Sequence, residues 1–71
     1  MKKSELSKKI GQRIVEIRTK KGLSQSDLAR ACNKDRQAIE KLENGKSNPT
    51  LYTLLEISVA LEVSLTELVK L

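Results

Sequence analysis

The chain has 71 residues, of which 14 are lysine or arginine and 9 are aspartate or glutamate, so that its formal net charge is +5. The length suits one small domain with a modest core, and a single cysteine without any histidine excludes an intramolecular disulfide and the usual cysteine–histidine zinc finger. No apolar run approaches the roughly 18 residues of a membrane span, and the charged start lacks the apolar region of a signal peptide, so we expect a protein of the reducing cytoplasm with no membrane partner.

The first helix is predicted over residues 7–20. Its isoleucines recur at spacings of four and three and form one apolar stripe, which is typical of an amphipathic helix. Gly22 is expected to end this helix in the left-handed backbone conformation that glycine adopts readily. The polar and basic residues 1–6 precede it, and we expect them to form a flexible arm ahead of a single domain over residues 7–71.

A second, shorter helix is predicted over residues 25–32. Ser24 is the expected N-cap, and Asp27 three residues later completes a capping box and places a carboxylate near the positive end of the helix. A tight break follows, in which Asn33 is expected to take a positive φ, a conformation that asparagine tolerates better than most residues. Asp35 is then the expected cap of the next helix.

A third helix is predicted over residues 36–44, with Ile39 and Leu42 pointing inward. Polar residues form a stripe on its other side: Arg36, Gln37, Glu40, Lys41 and Asn44. Arginine can bind guanine through two hydrogen bonds, glutamine can do the same for adenine, and glutamate can accept from cytosine. Such a stripe is either a solvated helix face or a surface that reads DNA bases. Because a short helix and a tight turn precede it, we interpret the two helices as a helix-turn-helix.

Two further helices complete the predicted set. Gly45 is expected to end the third helix, and Thr50 is expected to cap a fourth over residues 51–61. A Ser64-x-x-Glu67 capping box opens a short last helix. This last segment carries more apolar side chains than one core contact requires, namely Leu65, Leu68, Val69 and Leu71. We predict that they form a dimer interface; the alternative is that they complete the monomer core.

Basic residues are concentrated in the part of the chain that holds the helix-turn-helix. Residues 1–46 contain 13 basic and 6 acidic residues, a net charge of +7, whereas residues 47–71 contain 1 and 3, a net charge of −2. A basic surface beside a polar helix is typical of nucleic-acid binding, although it can also serve solubility. Tyr52 is the one aromatic residue, which argues against the stacking surfaces of single-strand and RNA binders.

Three segments, LSQSDLA, IEKLENGK and NPTLYTLLEISVALEVSLTEL, resemble the Cro/C1-type (XRE) helix-turn-helix family over about residues 10–70. That family includes phage repressors, restriction-modification controllers and antitoxins. The resemblance implies an all-α, five-helix lambda-repressor-like bundle that binds double-stranded DNA as a homodimer. The chain departs from the family pattern at Asn33, where glycine is common, and at Lys34, where a small or β-branched residue is usual.

The resemblance also implies roles for individual residues. The base-reading positions correspond to Arg36, Gln37, Glu40 and Lys41. The resemblance places Asn44, Lys46 and Ser47 along the phosphate backbone. We expect two further phosphate contacts, from Gln25 at the N-terminus of the second helix and from Lys34 in the turn. A structural ion pair is expected between Arg18 and Glu43, because each lies beside an inward-facing stripe and either charge alone would be costly to bury.

Three functions follow as hypotheses. The first is a transcriptional regulator, in particular a repressor at a palindromic operator. The second is an antitoxin, which would add a toxin protein as a partner, and the third is a protein-interaction bundle without DNA affinity. Catalysis is not expected, since the chain offers no histidine, metal-ligand cluster, phosphate-binding glycine loop or nucleophile–base pair. No metal or cofactor is expected either.

Overall fold

The computed structural model describes all 71 residues as five α-helices without a strand. The helices are α1 (Lys3–Lys20), α2 (Gln25–Ala31), α3 (Arg36–Glu43), α4 (Leu51–Ala60) and α5 (Leu65–Leu68). The predicted all-α, five-helix class is therefore confirmed. None of the five helices combines the length and the apolar character that a membrane crossing requires.

Helix α1 begins at Lys3 and not at Ser7, so the predicted start is wrong, and residues 3–6 of the expected flexible arm are helical. Ser7 does not cap the helix. It is buried within it, and its hydroxyl donates a hydrogen bond to Asn48 Oδ1 at 2.7 Å. This bond ties the first turns of α1 to the loop that follows α3.

The predicted caps of the later helices are confirmed. The Ser24 hydroxyl accepts from the Asp27 N–H at 3.0 Å, and the Asp27 carboxylate accepts from the Ser24 N–H at 2.9 Å. The side chains of Asp35, Thr50 and Ser64 each accept from the N–H three residues later. These contacts satisfy backbone donors that a helix N-terminus otherwise leaves unpaired.

Positive φ angles close the connections between helices. Asn33 has φ 56°, as predicted, and Gly22 and Gly45 have φ 74° and 69°. Glu62 also has a positive φ, of 59°, in the link from α4 to α5, which the sequence did not indicate. There the Val63 N–H bonds back to a carbonyl of α4, so the tight turn holds a non-glycine residue in this conformation.

Every helix contributes to one apolar core. The twelve buried apolar residues are Ile10, Ile14, Ile17, Leu28, Ala29, Cys32, Ile39, Leu42, Leu54, Ile57, Leu61 and Leu68. Leu68 is fully buried, and Leu65 and Val69 are half-buried against the same core. The sequence placed Leu68 on a dimer interface, and this prediction is wrong, because the short α5 uses Leu68 to close the end of its own bundle. Leu71 remains exposed.

Helices α1 and α3 cross in backbone contact at Gly11. A Cβ atom at this position would lie 2.5 Å from the carbonyl oxygens of both Leu42 and Glu43. Real Cβ atoms essentially never approach another heavy atom so closely, so only glycine fits this crossing. The contact fixes the last turn of α3 against α1.

Candidate nucleic-acid interface

The outer face of α3 is open to solvent along its whole length. Ile39 is fully buried and Leu42 nearly so, which turns the opposite side of the helix outward. The predicted base-reading residues Arg36, Gln37, Glu40 and Lys41 are all exposed on that side. No other part of the chain covers this face, so it is free to meet a partner.

An ion pair between Arg18 and Glu43 fixes α3 from beneath. The Arg18 Nε donates to Glu43 Oε2 at 2.6 Å, and its Nη2 donates to Oε1 at 3.0 Å. A third nitrogen, Nη1, donates to the Leu23 carbonyl at 2.8 Å. The two side chains are 12% and 3% exposed, so the pair is largely shielded from water. It joins α1, the link to α2 and the end of α3 in one arrangement.

Gln25, at the start of α2, lies between this pair and the outer face. Its Nε2 donates to Glu43 Oε1 at 2.9 Å, and its Oε1 accepts from Arg36 Nη1 at 3.0 Å. The sequence assigned Gln25 to a phosphate contact. A phosphate offers acceptors only, and the amide keeps one uncommitted N–H for such a contact.

Arg36 is held on two sides and is still accessible. Besides its bond to Gln25, its Nη1 lies 3.7 Å from Glu40 Oε2 on the next turn of α3. The side chain keeps 57% of its surface exposed. It is the first residue of α3, and this end of a reading helix is the one that contacts base edges in a helix-turn-helix.

The expected phosphate contacts differ in their surroundings. Asn44 and Lys46 are exposed at the end of α3, and Ser47 is half-buried in the loop after it. Lys34 is instead engaged within the protein, because its Nζ lies 3.0 Å from Glu56 Oε1 on α4. The structure therefore leaves Asn44 and Lys46 freer than Lys34 to meet a phosphate.

A groove of about 410 Å³ lies between α3 and the start of α4. Gln37 and Lys41 line it from α3, while Ser47, Thr50 and Thr53 line it from the loop and from α4. Hydroxyl, amide and ammonium donors thus line much of the groove beside the outer face of α3, together with the Asp35 carboxylate. Its lining is suited to the phosphate backbone of a DNA strand that passes next to a reading helix.

Two titratable groups near the motif have shifted pKa values. The backbone N–H and hydroxyl of Ser24 lower the pKa of the Asp27 carboxyl. Burial raises the pKa of the Cys32 thiol, whose Sγ donates to the Leu28 carbonyl at 3.1 Å. A protonated, buried thiol is a packing residue and a poor nucleophile. No three acidic or cysteine side chains lie close enough together to hold a metal ion.

A second exposed surface lies on α4, and the sequence analysis missed it. Leu51, Tyr52 and Val59 are 70%, 70% and 67% exposed, and Leu55 is 45% exposed. Tyr52, Leu55 and Val59, together with the exposed Ala31 of α2, line a shallow, mostly apolar depression. The signal was present in the sequence, since Tyr52, Leu55 and Val59 recur at spacings of three and four, beside the stripe that faces the core. We call the four exposed α4 residues, Leu51, Tyr52, Leu55 and Val59, the α4 apolar face.

The helix-turn-helix family model HTH_3 matches residues 14–68. The chain is 37% identical over 65 residues to y4dJ of Sinorhizobium fredii, an uncharacterised HTH-type transcriptional regulator, a match covering 92% of this chain and 84% of that protein. It is also similar to the restriction-modification controller C.AhdI of Aeromonas hydrophila, with a TM-score of 0.91 and 37% identity over 96% of this chain and 99% of that one. The C.Esp1396I controller, solved as a tetramer with its natural 35-base-pair operator, matches with a TM-score of 0.80 and 34% identity over 93% and 96% of the two chains.

Proposed function

Because this chain belongs to the HTH_3 helix-turn-helix family, we propose that it is a cytoplasmic transcriptional regulator that reads double-stranded DNA with the outer face of α3. The observation that carries the proposal is the contrast between the two sides of that helix. Its inner side is buried and locked by Gly11 and by the Arg18–Glu43 pair, whereas its outer side is polar and uncovered. A rigid helix with a free polar face is what insertion into a major groove requires.

Base reading is assigned to the exposed side chains of α3. Arg36 and Gln37 lie at the end of α3 that enters the groove, and Glu40 and Lys41 follow one turn later. Phosphate contacts are assigned to Asn44, Lys46 and Ser47, and to the donors that line the groove beside α3. In this arrangement the phosphate contacts set the register of the protein on the duplex, and the α3 side chains choose the sequence.

The proposed regulator acts as a dimer on an approximate palindrome. Two copies would place their α3 helices about 34 Å apart, one turn of duplex, so that each reads one half-site. The C.Esp1396I controller, whose operator complex contains a tetramer, supports an oligomeric assembly of this kind. Occupation of an operator would repress transcription by excluding polymerase.

We place the contact between the two copies on the α4 apolar face. A surface with this many exposed apolar side chains is typical of an interface when it lies on a small polar domain. The sequence predicted the dimer interface on α5, but Leu68 of that helix is fully buried in the core of its own chain. The α4 apolar face holds four of the seven large apolar side chains that the folded chain leaves exposed, and a second copy presents the same surface to it.

Substitution of Val59 by aspartate should convert the dimer to a monomer. A carboxylate at this 67%-exposed position leaves the fold intact but would have to be desolvated in the interface. Sedimentation equilibrium measures the effect, and circular dichroism checks the fold. The matched control is Leu71→Asp, at an exposed apolar residue of the terminal segment. A dimeric Val59→Asp together with a monomeric Leu71→Asp would move the interface to the C-terminus.

Substitution of Arg36 by alanine should relax sequence choice at one base pair of each half-site. A bidentate arginine–guanine contact contributes about 1–3 kcal/mol of discrimination, which this variant would lose. Selection of bound duplexes from a random pool measures the preference. The matched control is Lys46→Ala, which should weaken all sequences alike and reduce the salt dependence by about one unit.

Two results would count against these assignments. An unchanged selected sequence for Arg36→Ala would remove Arg36 from base reading. Absence of salt-dependent duplex binding by the wild-type protein at low salt would instead favour a protein-interaction bundle.

A further inference from the structure

We propose that the Lys34–Glu56 ion pair belongs to the surface on which two copies of this chain associate, and that Lys34 supports dimer formation and does not bind a DNA phosphate. The inference rests on the proposed function, which places the dimer contact on the α4 apolar face. It deepens that function by naming a polar contact at the edge of this face. Because the chain departs from the family pattern at Lys34, the resemblance implies no such pair.

Glu56 lies at the edge of the α4 apolar face. It follows Leu55 directly and is one turn away from both Tyr52 and Val59, and all four side chains line the same shallow depression. It is the one charged residue of α4, which holds no lysine or arginine. The Glu56 side chain is 32% exposed in the single chain. A second copy seated on the α4 apolar face would remove more of this carboxylate from water.

Lys34 compensates for the charge of Glu56. Its Nζ lies 3.0 Å from Glu56 Oε1, and its side chain is only 23% exposed. Of the ion pairs in the chain, only Arg18–Glu43 has both side chains less exposed. The Lys34 N–H donates to the Ala29 carbonyl at 2.8 Å, which fixes the backbone of the turn from which the lysine extends. A carboxylate that loses its water in an interface is costly unless a hydrogen-bonded cation accompanies it.

The charge distribution favours a second copy as the occupant of this face. Residues 1–46 carry a net charge of +7, whereas residues 47–71, which include α4, carry −2. Two chains of net charge +5 repel each other. Contact through α4 brings together the least basic part of each chain, and the Lys34–Glu56 pair keeps the edge of that contact neutral. A two-fold contact of this kind contains the pair twice.

A phosphate contact is the rival role for Lys34, which also borders the groove beside α3. The two roles predict different effects of removing the ammonium group. Loss of a phosphate contact would lower the salt slope of DNA binding by about one unit for each protomer and leave self-association unchanged. Loss of the cation beside Glu56 would weaken self-association, and the salt slope measured for the dimer would stay unchanged.

The test is Lys34→Met, which removes the ammonium group and keeps most of the side-chain length. Sedimentation equilibrium of the DNA-free protein measures dimer dissociation, and circular dichroism checks the fold. An acceptor that loses its partner in an interface should raise the dissociation constant about tenfold, and two such sites should raise it about a hundredfold. The salt slope is measured at protein concentrations well above that constant.

Lys20→Met is the matched control, since Lys20 is an exposed lysine of α1 that forms no ion pair. Loss of one positive charge by itself reduces the repulsion between two basic chains. Lys20→Met should therefore dimerise as well as the wild type or slightly better. The expected effect of Lys34→Met has the opposite sign, so a change in net charge does not explain it.

A double variant tests whether Lys34 acts through Glu56. Glu56→Gln combined with Lys34→Met leaves no unpaired charge at the edge of the face, so dimerisation should return to within about threefold of the wild type. A double variant that dimerises no better than Lys34→Met would overturn the inference. So would wild-type dimerisation of Lys34→Met, and a lower salt slope in that case would assign Lys34 to a phosphate.

The same measurements distinguish the two levels of the proposal. A wild-type protein that stays monomeric, or a dimer that Val59→Asp does not dissociate, would overturn the proposed dimer contact and this inference with it. A dimer that Val59→Asp dissociates and Lys34→Met leaves intact would overturn the inference alone.

Discussion

Replacement of Glu43 by alanine is expected to destabilise the fold by about 3–5 kcal/mol, because it leaves the Arg18 guanidinium buried without its partner. The Arg18 side chain is only 12% exposed and cannot recover its hydration without distorting the α1–α3 contact. Gln25 would lose the acceptor for its Nε2 at the same time. For a domain of this size the loss corresponds to a fall in Tm of more than about 10 °C, measured by thermal unfolding.

Glu40→Ala is the matched control for this experiment. Glu40 lies one turn earlier on α3, and its side chain is 47% exposed and 3.7 Å from Arg36. An exposed pair of this kind contributes little, so the Tm should stay close to that of the wild type. A Glu43→Ala variant that melts within a degree of the wild type would show that the buried pair does not stabilise the fold.

A double substitution distinguishes an unpaired charge from lost packing. Arg18→Met combined with Glu43→Leu removes both charges and keeps most of the apolar volume. Replacement of a buried pair by apolar residues is often neutral or stabilising, so the double variant should melt above Glu43→Ala. A double variant that melts below Glu43→Ala would mean that the side-chain stems, and not the charges, stabilise this contact.

Structural features that depend only on residues close to one another in the chain were predictable from the sequence. The caps at Ser24, Asp35, Thr50 and Ser64 each depend on a backbone N–H three residues later. The positive φ of Asn33 follows from the tight break between two amphipathic segments. Local chemistry alone therefore gave the helix order and placed the polar stripe of α3 correctly.

Features that depend on distant partners were not predictable in the same way. The sequence predicts that α1 begins at Ser7, and only the fold reveals that Ser7 is buried within the helix and bonded to Asn48. Apolar periodicity gives two stripes on α4 and one segment at α5, but it does not state which of them the core covers. For this reason the predicted dimer interface included the buried Leu68 and left out the exposed Tyr52 and Val59.

The same limit applies to charged and polar side chains in the candidate site. Lys34 and Gln25 were both assigned to phosphates from their places in the motif, in the turn and at the start of its first helix. Their partners, Glu56 and Glu43, come from other helices, and these contacts change what the two side chains can do. Gln37 and Lys41 are exposed and have no such partner, so the base-reading role stays a prediction for both.

Replacement of Gly11 by alanine is expected to destabilise the protein, although alanine is the better helix former. Helix propensity alone would favour alanine by about 1 kcal/mol. The added Cβ would, however, lie 2.5 Å from the carbonyl oxygens of Leu42 and Glu43, which are backbone atoms and cannot rotate away. Helix α3 would have to move from α1, and overpacking of this kind costs about 1–3 kcal/mol. The two terms oppose each other, and the contact should prevail because both clashes are with rigid atoms.

Gln12→Ala provides the control, since Gln12 is the next residue of α1 and is exposed. It gains the same kind of helix propensity without a clash, so its Tm should equal or slightly exceed that of the wild type. Gly11→Ala should melt several degrees lower and should also bind the selected duplex more weakly, because a displaced α3 alters the position of Arg36 relative to Gln25. If Gly11→Ala melts as high as Gln12→Ala, then α1 and α3 do not cross in backbone contact. The rigid support that we assign to the reading helix would then have to come from the Arg18–Glu43 pair alone.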